Sequence, residues 1–152
     1  MLFIKKATTA HISSIVEGNQ GIASETENMI LHKDTLELGV STLINDPHLG
    51  QYWVCETETG EVCGQIMVTY EWSDWRNSQI WWIQSVYVWP DFRRRGIFKS
   101  LLARVESEAK EKGVLIFRLY AEMRNHTAHS AYQRLGFKTG IYQVFSKSIN
   151  TD

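Results

Sequence analysis

One stretch of the sequence, residues 79–88, restricts the fold more than any other. It reads QIWWIQSVYV and is apolar at nearly every position. A strand of this kind buries both of its faces, so the pattern predicts a central strand in a sheet that is covered on both sides. Pro90 ends the strand, and residues 96–112 follow as a helix with Leu101 and Val105 on one face. The pattern therefore predicts helices packed against a sheet.

The rest of the chain alternates between strand and helix patterns in the order βααβββαβαββ. The predicted strands cover 2–7, 51–56, 61–71, 79–88, 114–121 and 137–148, and the predicted helices cover 8–19, 34–45, 96–112 and 125–135. This order indicates an α/β (α+β) fold, with a mixed sheet of about six to seven strands and helices on both faces. The length of 152 residues fits one domain, 1–152.

Composition argues against several classes of partner. The formal net charge is −1, whereas a protein that wraps nucleic acid needs a large positive excess. Cys55 and Cys63 are too few for a disulfide framework, so we expect reduced thiols on neighbouring strands of one hairpin. No stretch approaches the ~20 apolar residues of a membrane span, and the N-terminus lacks the apolar run of a signal peptide. These features predict a cytoplasmic protein with no nucleic-acid or membrane partner.

The turn at 91–99 has the chemistry of a phosphate site. A turn that feeds a helix from a central strand leaves backbone N–H groups at the positive end of the helix dipole. Gly96 lets the backbone approach an anion without a Cβ in the way. The turn also carries four cationic side chains, which are Arg93, Arg94, Arg95 and Lys99. From these residues alone, a phosphorylated ligand, a nucleic-acid patch and a solvated basic turn all stay open.

Two segments resemble a known family. The stretch RRRGIF at 93–98 is similar to the Arg/Gln-x-x-Gly-x-Gly/Ala motif of the GNAT superfamily of N-acetyltransferases, except that Phe98 replaces Gly or Ala. Downstream, NHTAHSAYQRLGF at 125–137 resembles the family segment Asn-x-x-Ala-x-x-x-Tyr-x-x-Leu-Gly-Phe. Both occur in the family's order, so the resemblance is strong over 79–137. It implies the family's GNAT-like sheet and acetyl-CoA as the acetyl donor.

The resemblance also implies which residues hold acetyl-CoA. In the family, loop amides bind the pyrophosphate, and the strand before the loop pairs with the pantetheine arm. Asn125 would cap its helix and could also hold the pantetheine. The implied cofactor site comprises Val86, Tyr87, Val88, Arg93, Arg94, Arg95, Gly96, Ile97, Phe98, Lys99 and Asn125.

The same resemblance suggests catalytic roles. It makes Tyr132 the proton donor to the departing CoA sulfur, although a tyrosine on the inward face of a helix is also explained as core. The backbone N–H of Val86 would stabilise the oxyanion. Many members carry a glutamate base before the loop, but Gln84 stands there and could only orient a water. Glu122 and Glu71 are the substitute bases, and Glu122 is preferred.

Acidic and aromatic side chains occur together in the region expected to receive the acceptor. Such groups suit a cation, through charge and through cation–π contact. The run TYEWSDW at 69–75 also looks distantly like the polyamine and diamine acetyltransferase branch. We therefore predict a small primary amine or amino acid as the acceptor, held by Glu27, Glu71, Trp72 and Gln84.

Other interpretations stay open. The chain could modify a lysine or N-terminus of a partner protein, or it could be a non-catalytic acyl-CoA sensor, as Phe98 and the missing glutamate would allow. A nucleic-acid module would use 93–95. No metal is expected, because His126 and His129 lack a third ligand. A homodimer could form through an apolar seam of Tyr142, Val144 and Phe145.

Overall fold

The computed structural model describes residues 1–150, which form two compact units. The first unit is Met1–Glu122, and the second begins at Met123. The strands are β1 (Leu2–Lys6), β2 (Gly50–Thr57), β3 (Val62–Ser73), β4 (Ser78–Val88) and β5 (Phe117–Leu119). The helices are α1 (Ile12–Glu27), α2 (Lys33–Asn45), α3 (Ile97–Glu111) and, in the second unit, α4 (His126–Arg134). None of the helices within 1–150 combines the length and the apolar character needed to cross a membrane.

The sheet of the first unit is mixed, as predicted. Its strands lie in the order β1-β2-β3-β4-β5, with antiparallel pairing from β1 to β4 and parallel pairing between β4 and β5. The apolar strand that dominates the sequence is β4, and it lies between β3 and β5. A parallel pair needs a crossover connection, and α3 supplies it.

Helices cover both faces of this sheet, which confirms the predicted layering. Side chains alternate between faces along a strand. Tyr52 and Val54 of β2 pack in one core cluster with residues of α1 and α2. Trp53 points to the other face, where its Nε1 donates to Glu108 of α3 at 3.4 Å. Leu101 of α3 is fully buried. Consecutive residues of one strand therefore serve two separate helix layers.

The strand count is lower than predicted. Five strands form within residues 1–150, and residues 137–150 lie outside any helix or strand, so the closing strands expected within 137–148 are wrong. Tyr142 is 79% exposed and Phe145 is 90% exposed. Apolar alternation shows which side chains could share a face, but a strand also needs a neighbour to accept its backbone hydrogen bonds. The expectation that 1–152 is a single domain stays a prediction, because the chain divides into two compact units.

The N-terminal strands are tied together by a buried carboxylate. Glu56 of β2 is 8% exposed and accepts bonds from Lys5 and from His11, whose Nε2 lies 2.6 Å from its Oε1. The Thr8 N–H donates to Nδ1 of His11 at 2.8 Å, which leaves Nε2 as the donor. Burial works to raise the pKa of Glu56, but the bonds from Lys5 and His11 outweigh it and hold the pKa below its ordinary value.

This carboxylate should make stability depend on acid pH. A pKa depressed by folding contributes stability that is complete above the unfolded value, about 4.3, and is lost as pH falls through the folded value. We expect Glu56→Gln to lower the free energy of unfolding by about 2 kcal/mol at pH 7. The difference in free energy of unfolding between variant and wild type should shrink as pH falls from 5 to 3, because protonation of Glu56 then removes the same contribution from wild type.

Urea unfolding at several pH values tests this expectation. Glu61→Gln is the control, since Glu61 lies exposed in the turn between β2 and β3 and should keep the wild-type pH slope. Identical slopes for wild type and Glu56→Gln would contradict the assignment.

Candidate functional site

The pairing of β4 with β5 is short. It joins Trp81 to Phe117 and ends where Ile83 meets Leu119. Beyond Ile83, β4 continues to Val88 along β3, and on its other side no strand of the described chain pairs with it. The two strands therefore part in the middle of the sheet. An unpaired strand edge offers backbone donors and acceptors to an extended ligand.

A β-bulge changes which residues of β4 face this edge. Met67 lies opposite Gln84, whereas Gln65 lies opposite Tyr87, so β4 carries one extra residue between them. The bulge contains Ser85, whose φ of 49° is left-handed and uncommon for a non-glycine residue.

The backbone hydrogen bonds on either side of the bulge show its effect. Before it, the Trp81 N–H donates to the carbonyl of Ile116, on the β5 side. After it, the Trp89 N–H donates to the carbonyl of Cys63, on β3. Neighbouring residues of a strand point their backbone groups in opposite directions. The backbone groups of Val86 and Val88 therefore face away from β3. The bulge thus presents the Val86 N–H at the open edge.

The basic turn leads from β4 into α3. Arg94 and Gly96 have left-handed φ values of 62° and 74°, and Gly96 caps the helix. The first helical bond runs from the Ser100 N–H to the Gly96 carbonyl at 3.0 Å, so the helix cannot itself satisfy the earlier amides of its first turn. Arg94, Arg95, Gly96 and Lys99 are exposed, Phe98 is half-buried, and Ile97 is buried. This turn can bind an anion.

Arg93 differs from the other cations of the turn. Its guanidinium pairs with both carboxylate oxygens of Glu25 on α1, at 3.0 and 2.8 Å, and its Nε donates to the carbonyl of Val88 at 2.8 Å. The guanidinium also lies over the ring of Tyr87, whose hydroxyl donates to Glu25 at 3.0 Å. Arg93 and Tyr87 therefore tie the turn to α1. Sequence reasoning missed Glu25 as their partner, because it lies far away in the chain.

Two of the predicted acceptor residues, Glu71 of β3 and Gln84 of β4, form hydrogen bonds across the β3–β4 pair, whereas Trp72 follows Glu71 directly and projects from the opposite face of β3. Glu71 accepts from the indole of Trp82 at 3.3 Å, and Gln84 donates to the hydroxyl of Thr69 at 2.6 Å. Trp72 is 62% exposed at the end of β3. Glu27, the last residue of α1, is exposed.

Glu71, Trp82, Arg118 and Tyr120 form one connected patch, and no sequence pattern indicated that Arg118 belongs to it. Arg118 of β5 pairs with Glu71 at 3.0 Å and lies 6.0 Å from the ring centre of Trp82. Tyr120, two residues further along the chain, packs against Trp82 at 4.5 Å between ring centres. The patch thus combines aromatic faces with a charge-balanced pair instead of the uncompensated acid that the sequence suggested.

The remaining site candidates lie in and beside the second unit. Asn125 caps α4 by accepting from the Ala128 N–H at 3.1 Å, as predicted. Tyr132 packs edge-on against Phe137 at 5.9 Å, and burial raises the pKa of Tyr132. Glu122 ends the first unit, is exposed, and follows β5 by three residues. The rings of His126 and His129 meet edge-on with their centres 6.2 Å apart, and no cluster of three potential metal ligands forms within 1–150.

The two cysteines are structural. They lie on neighbouring strands, as expected, and the Cys63 thiol donates to the Cys55 carbonyl at 3.2 Å. Burial raises the pKa of Cys55 to about 12, so the thiol is protonated at neutral pH and is a poor nucleophile. Cys55 lines a cavity of about 270 Å³ together with Leu2, Ile4, Arg95, Ile97 and Ser100.

Comparison with known proteins gives a consistent result. A model of the acetyltransferase (GNAT) family matches residues 17–137. The crystal structure of a possible acetyltransferase from Clostridium difficile 630 has a TM-score of 0.92 and 36% identity, over 99% of each chain. A predicted acetyltransferase from Clostridium acetobutylicum, solved with acetyl-CoA, shares the fold with a TM-score of 0.80 and 19% identity, over 97% of this chain and 96% of that one.

A curated relative is similar over a shorter range. An aminoglycoside N(6')-acetyltransferase type 1 from Acinetobacter genomosp. 13 is 35% identical over 72 residues, which is 47% of this chain. The match spans 49% of that relative, so the chain covers about half of its length.

Proposed function

This chain belongs to the acetyltransferase (GNAT) family, and from that premise we propose that it transfers the acetyl group of acetyl-CoA directly to the primary amine of a small molecule. One observation carries the proposal. The open edge of β4 leads straight into a cationic turn at the start of α3. An extended acyl-pantetheine arm followed by a pyrophosphate needs these two features in this order.

The residues present fit acetyl-CoA as the donor. The backbone of 86–88 would pair with the pantetheine arm, and the amides of Gly96, Ile97 and Phe98 would bind the pyrophosphate. A Cβ built on Gly96 would meet nothing within 4 Å, so the turn has room for an anion. The cations of the turn add long-range attraction, and Asn125 is a further contact by resemblance.

The chemistry then needs three groups. The amine nitrogen attacks the thioester carbon, the C–N bond forms, and the C–S bond breaks as the tetrahedral oxyanion collapses. The Val86 N–H would stabilise that oxyanion. Tyr132 would give its proton to the departing CoA sulfur, and Glu122 would accept the proton of the amine, directly or through a water held by Gln84. The roles of Tyr132 and Glu122 rest on the resemblance.

The acceptor would bind at the patch beside the parting of β4 and β5. Trp82 offers an aromatic face to a cationic amine, and Glu71 offers a carboxylate. Trp72 projects from the opposite face of β3, so its role and that of Glu27 rest on the sequence pattern alone. Glu71 is shared with Arg118, so the acceptor amine would compete for it or bind beside it. A small amine is favoured because the aminoglycoside enzyme that resembles this chain is named for a small-molecule amine.

Release of CoA thiol from acetyl-CoA, measured with a panel of amines, tests the function. Diamines, amino acids and aminoglycosides form the panel, and a lysine-bearing peptide represents a protein acceptor. We expect one class of small amine to stimulate release well above the rate without amine. Stimulation by the peptide alone would identify a protein acetyltransferase. Acetyl-CoA that binds without release for any acceptor would indicate a sensor, and absence of binding would overturn the proposal.

A further inference from the structure

A buried amide lies directly behind the bulge of β4. Gln65 of β3 has no exposed surface. Its Nε2 donates to the carbonyl of Ser85 at 3.1 Å and to Oδ1 of Asn19 at 2.9 Å. Its Oε1 is the buried side-chain atom that has no hydrogen-bond partner within residues 1–150. A buried amide oxygen without a partner is unfavourable, so packing alone does not explain a glutamine at this position.

Helix α1 fixes the orientation of this amide. A Cβ built on Gly18 would lie 2.3 Å from Oε1 of Gln65, so the helix backbone is pressed against the oxygen. Turning the amide over would place Oε1 against two other acceptor oxygens, those of Ser85 and Asn19. The Ser85 carbonyl can only accept, so it fixes the amide of Gln65 whichever way Asn19 is turned against the hydroxyl of Tyr52, which lies 3.2 Å from Nδ2 of Asn19. The donor of Gln65 can therefore only point at the bulge.

The bulge needs such a donor. At a bulge the extra residue is left out of the ladder, so its carbonyl lacks the usual partner. The left-handed φ of Ser85 also costs free energy that a regular strand would not. The bond from Gln65 satisfies that carbonyl and offsets the strain. The peptide that follows the Ser85 carbonyl carries the Val86 N–H, so both groups belong to one rigid plane.

We propose that Gln65 is a positioning residue for acetyl transfer, which holds the Ser85–Val86 peptide so that its N–H points at the thioester oxygen. The carbonyl and the N–H of a trans peptide point in opposite directions. A donor that fixes the Ser85 carbonyl on the β3 side therefore aims the Val86 N–H at the open edge. This inference rests on the proposed function, because it needs a bound thioester.

The first test compares kinetics. Loss of an oxyanion donor costs about 10²–10³ in kcat, and a donor that is present but badly aimed should cost less. We expect Gln65→Met to lower kcat about tenfold, with KM for acetyl-CoA little changed. Cys63→Ala is the matched control, because Cys63 is equally buried two residues earlier on β3 and touches β2 instead of the bulge. It should keep the wild-type kcat.

The second test observes the hydrogen bond itself. Acetyl-CoA labelled with ¹³C at the acetyl carbonyl is bound to each protein in the absence of amine, and its infrared spectrum is recorded. A hydrogen bond to the thioester oxygen lowers its stretching frequency. We expect a downshift in wild type and in Cys63→Ala, and a frequency closer to that of free acetyl-CoA in Gln65→Met.

A third variant covers the case in which Gln65→Met does not fold. In Gln65→Glu, an ionised carboxylate would face the oxygens of Ser85 and Asn19, whereas a protonated carboxyl could donate to one of them. Burial keeps such a carboxyl protonated to higher pH than usual. The ratio of its kcat to that of wild type should therefore rise as pH falls.

The outcomes separate this inference from the proposed function. Wild type that neither binds acetyl-CoA nor shifts its carbonyl frequency would overturn the function. Wild type that shifts the frequency, beside Gln65 variants with the same shift and the same kcat, would overturn the positioning role alone.

Discussion

Tyr132→Phe is expected to lower kcat about 100-fold and to leave the affinity for acetyl-CoA unchanged. A positioned general acid contributes about 10²–10⁴ in rate, and the substitution removes only the hydroxyl. Burial raises the pKa of Tyr132, so its proton stays in place at neutral pH and is available to a thiolate that forms during the reaction. The ring remains, so its edge-on contact with Phe137 should persist.

Steady-state kinetics with the best amine of the panel, together with calorimetric titration of acetyl-CoA, measure the two effects. Tyr142→Phe makes the same chemical change at a side chain that is 79% exposed in the same unit, and it should behave as wild type. A kcat for Tyr132→Phe within twofold of wild type would return Tyr132 to a packing role. A large rise in the dissociation constant would show that its hydroxyl holds the donor instead.

Gly96→Val is expected to weaken acetyl-CoA binding about 30-fold. A residue with a Cβ in left-handed geometry costs about 1–2 kcal/mol, and a β-branched residue is strained most. The turn will relieve that strain by leaving the geometry in which its amides converge. Binding must then restore it, and about 2 kcal/mol corresponds to about 30-fold in affinity.

The chain offers a closely matched control for this variant. Gly60, in the turn between β2 and β3, has a φ of 84°, and a Cβ there also meets nothing within 4 Å. Gly60→Val should lose similar stability in thermal unfolding and keep its affinity for acetyl-CoA in calorimetric titration. Equal affinities for the two variants would mean that the backbone of the α3 turn does not bind the pyrophosphate.

Much of the fold and part of the site could be predicted from local patterns. Burial repeats with the period of each element, so α2, β2 to β4 and α3 were predicted close to their observed bounds. The sequence predicts that the first helix ends at residue 19, whereas α1 continues to Glu27. Asn28 in left-handed geometry stops the helix, and no glycine or proline marks that point in the sequence. The helix cap at Asn125 and the turn at Gly96 could be predicted, because a cap and a turn each involve residues that are neighbours in the sequence.

The sequence by itself determined the order of elements, the two-faced burial of the sheet, the cationic turn and membership of a family, because each depends on residues close together in the chain. Only the tertiary structure decided where β4 parts from β5 and which of its amides faces the gap. It also decided that Gln65 lies behind the bulge, that Arg93 pairs with Glu25 and that Arg118 pairs with Glu71. The physical reason is that a bulge exchanges the sides of every following residue, and that a hydrogen bond or ion pair between distant residues exists only once strand register and helix docking have set their separation.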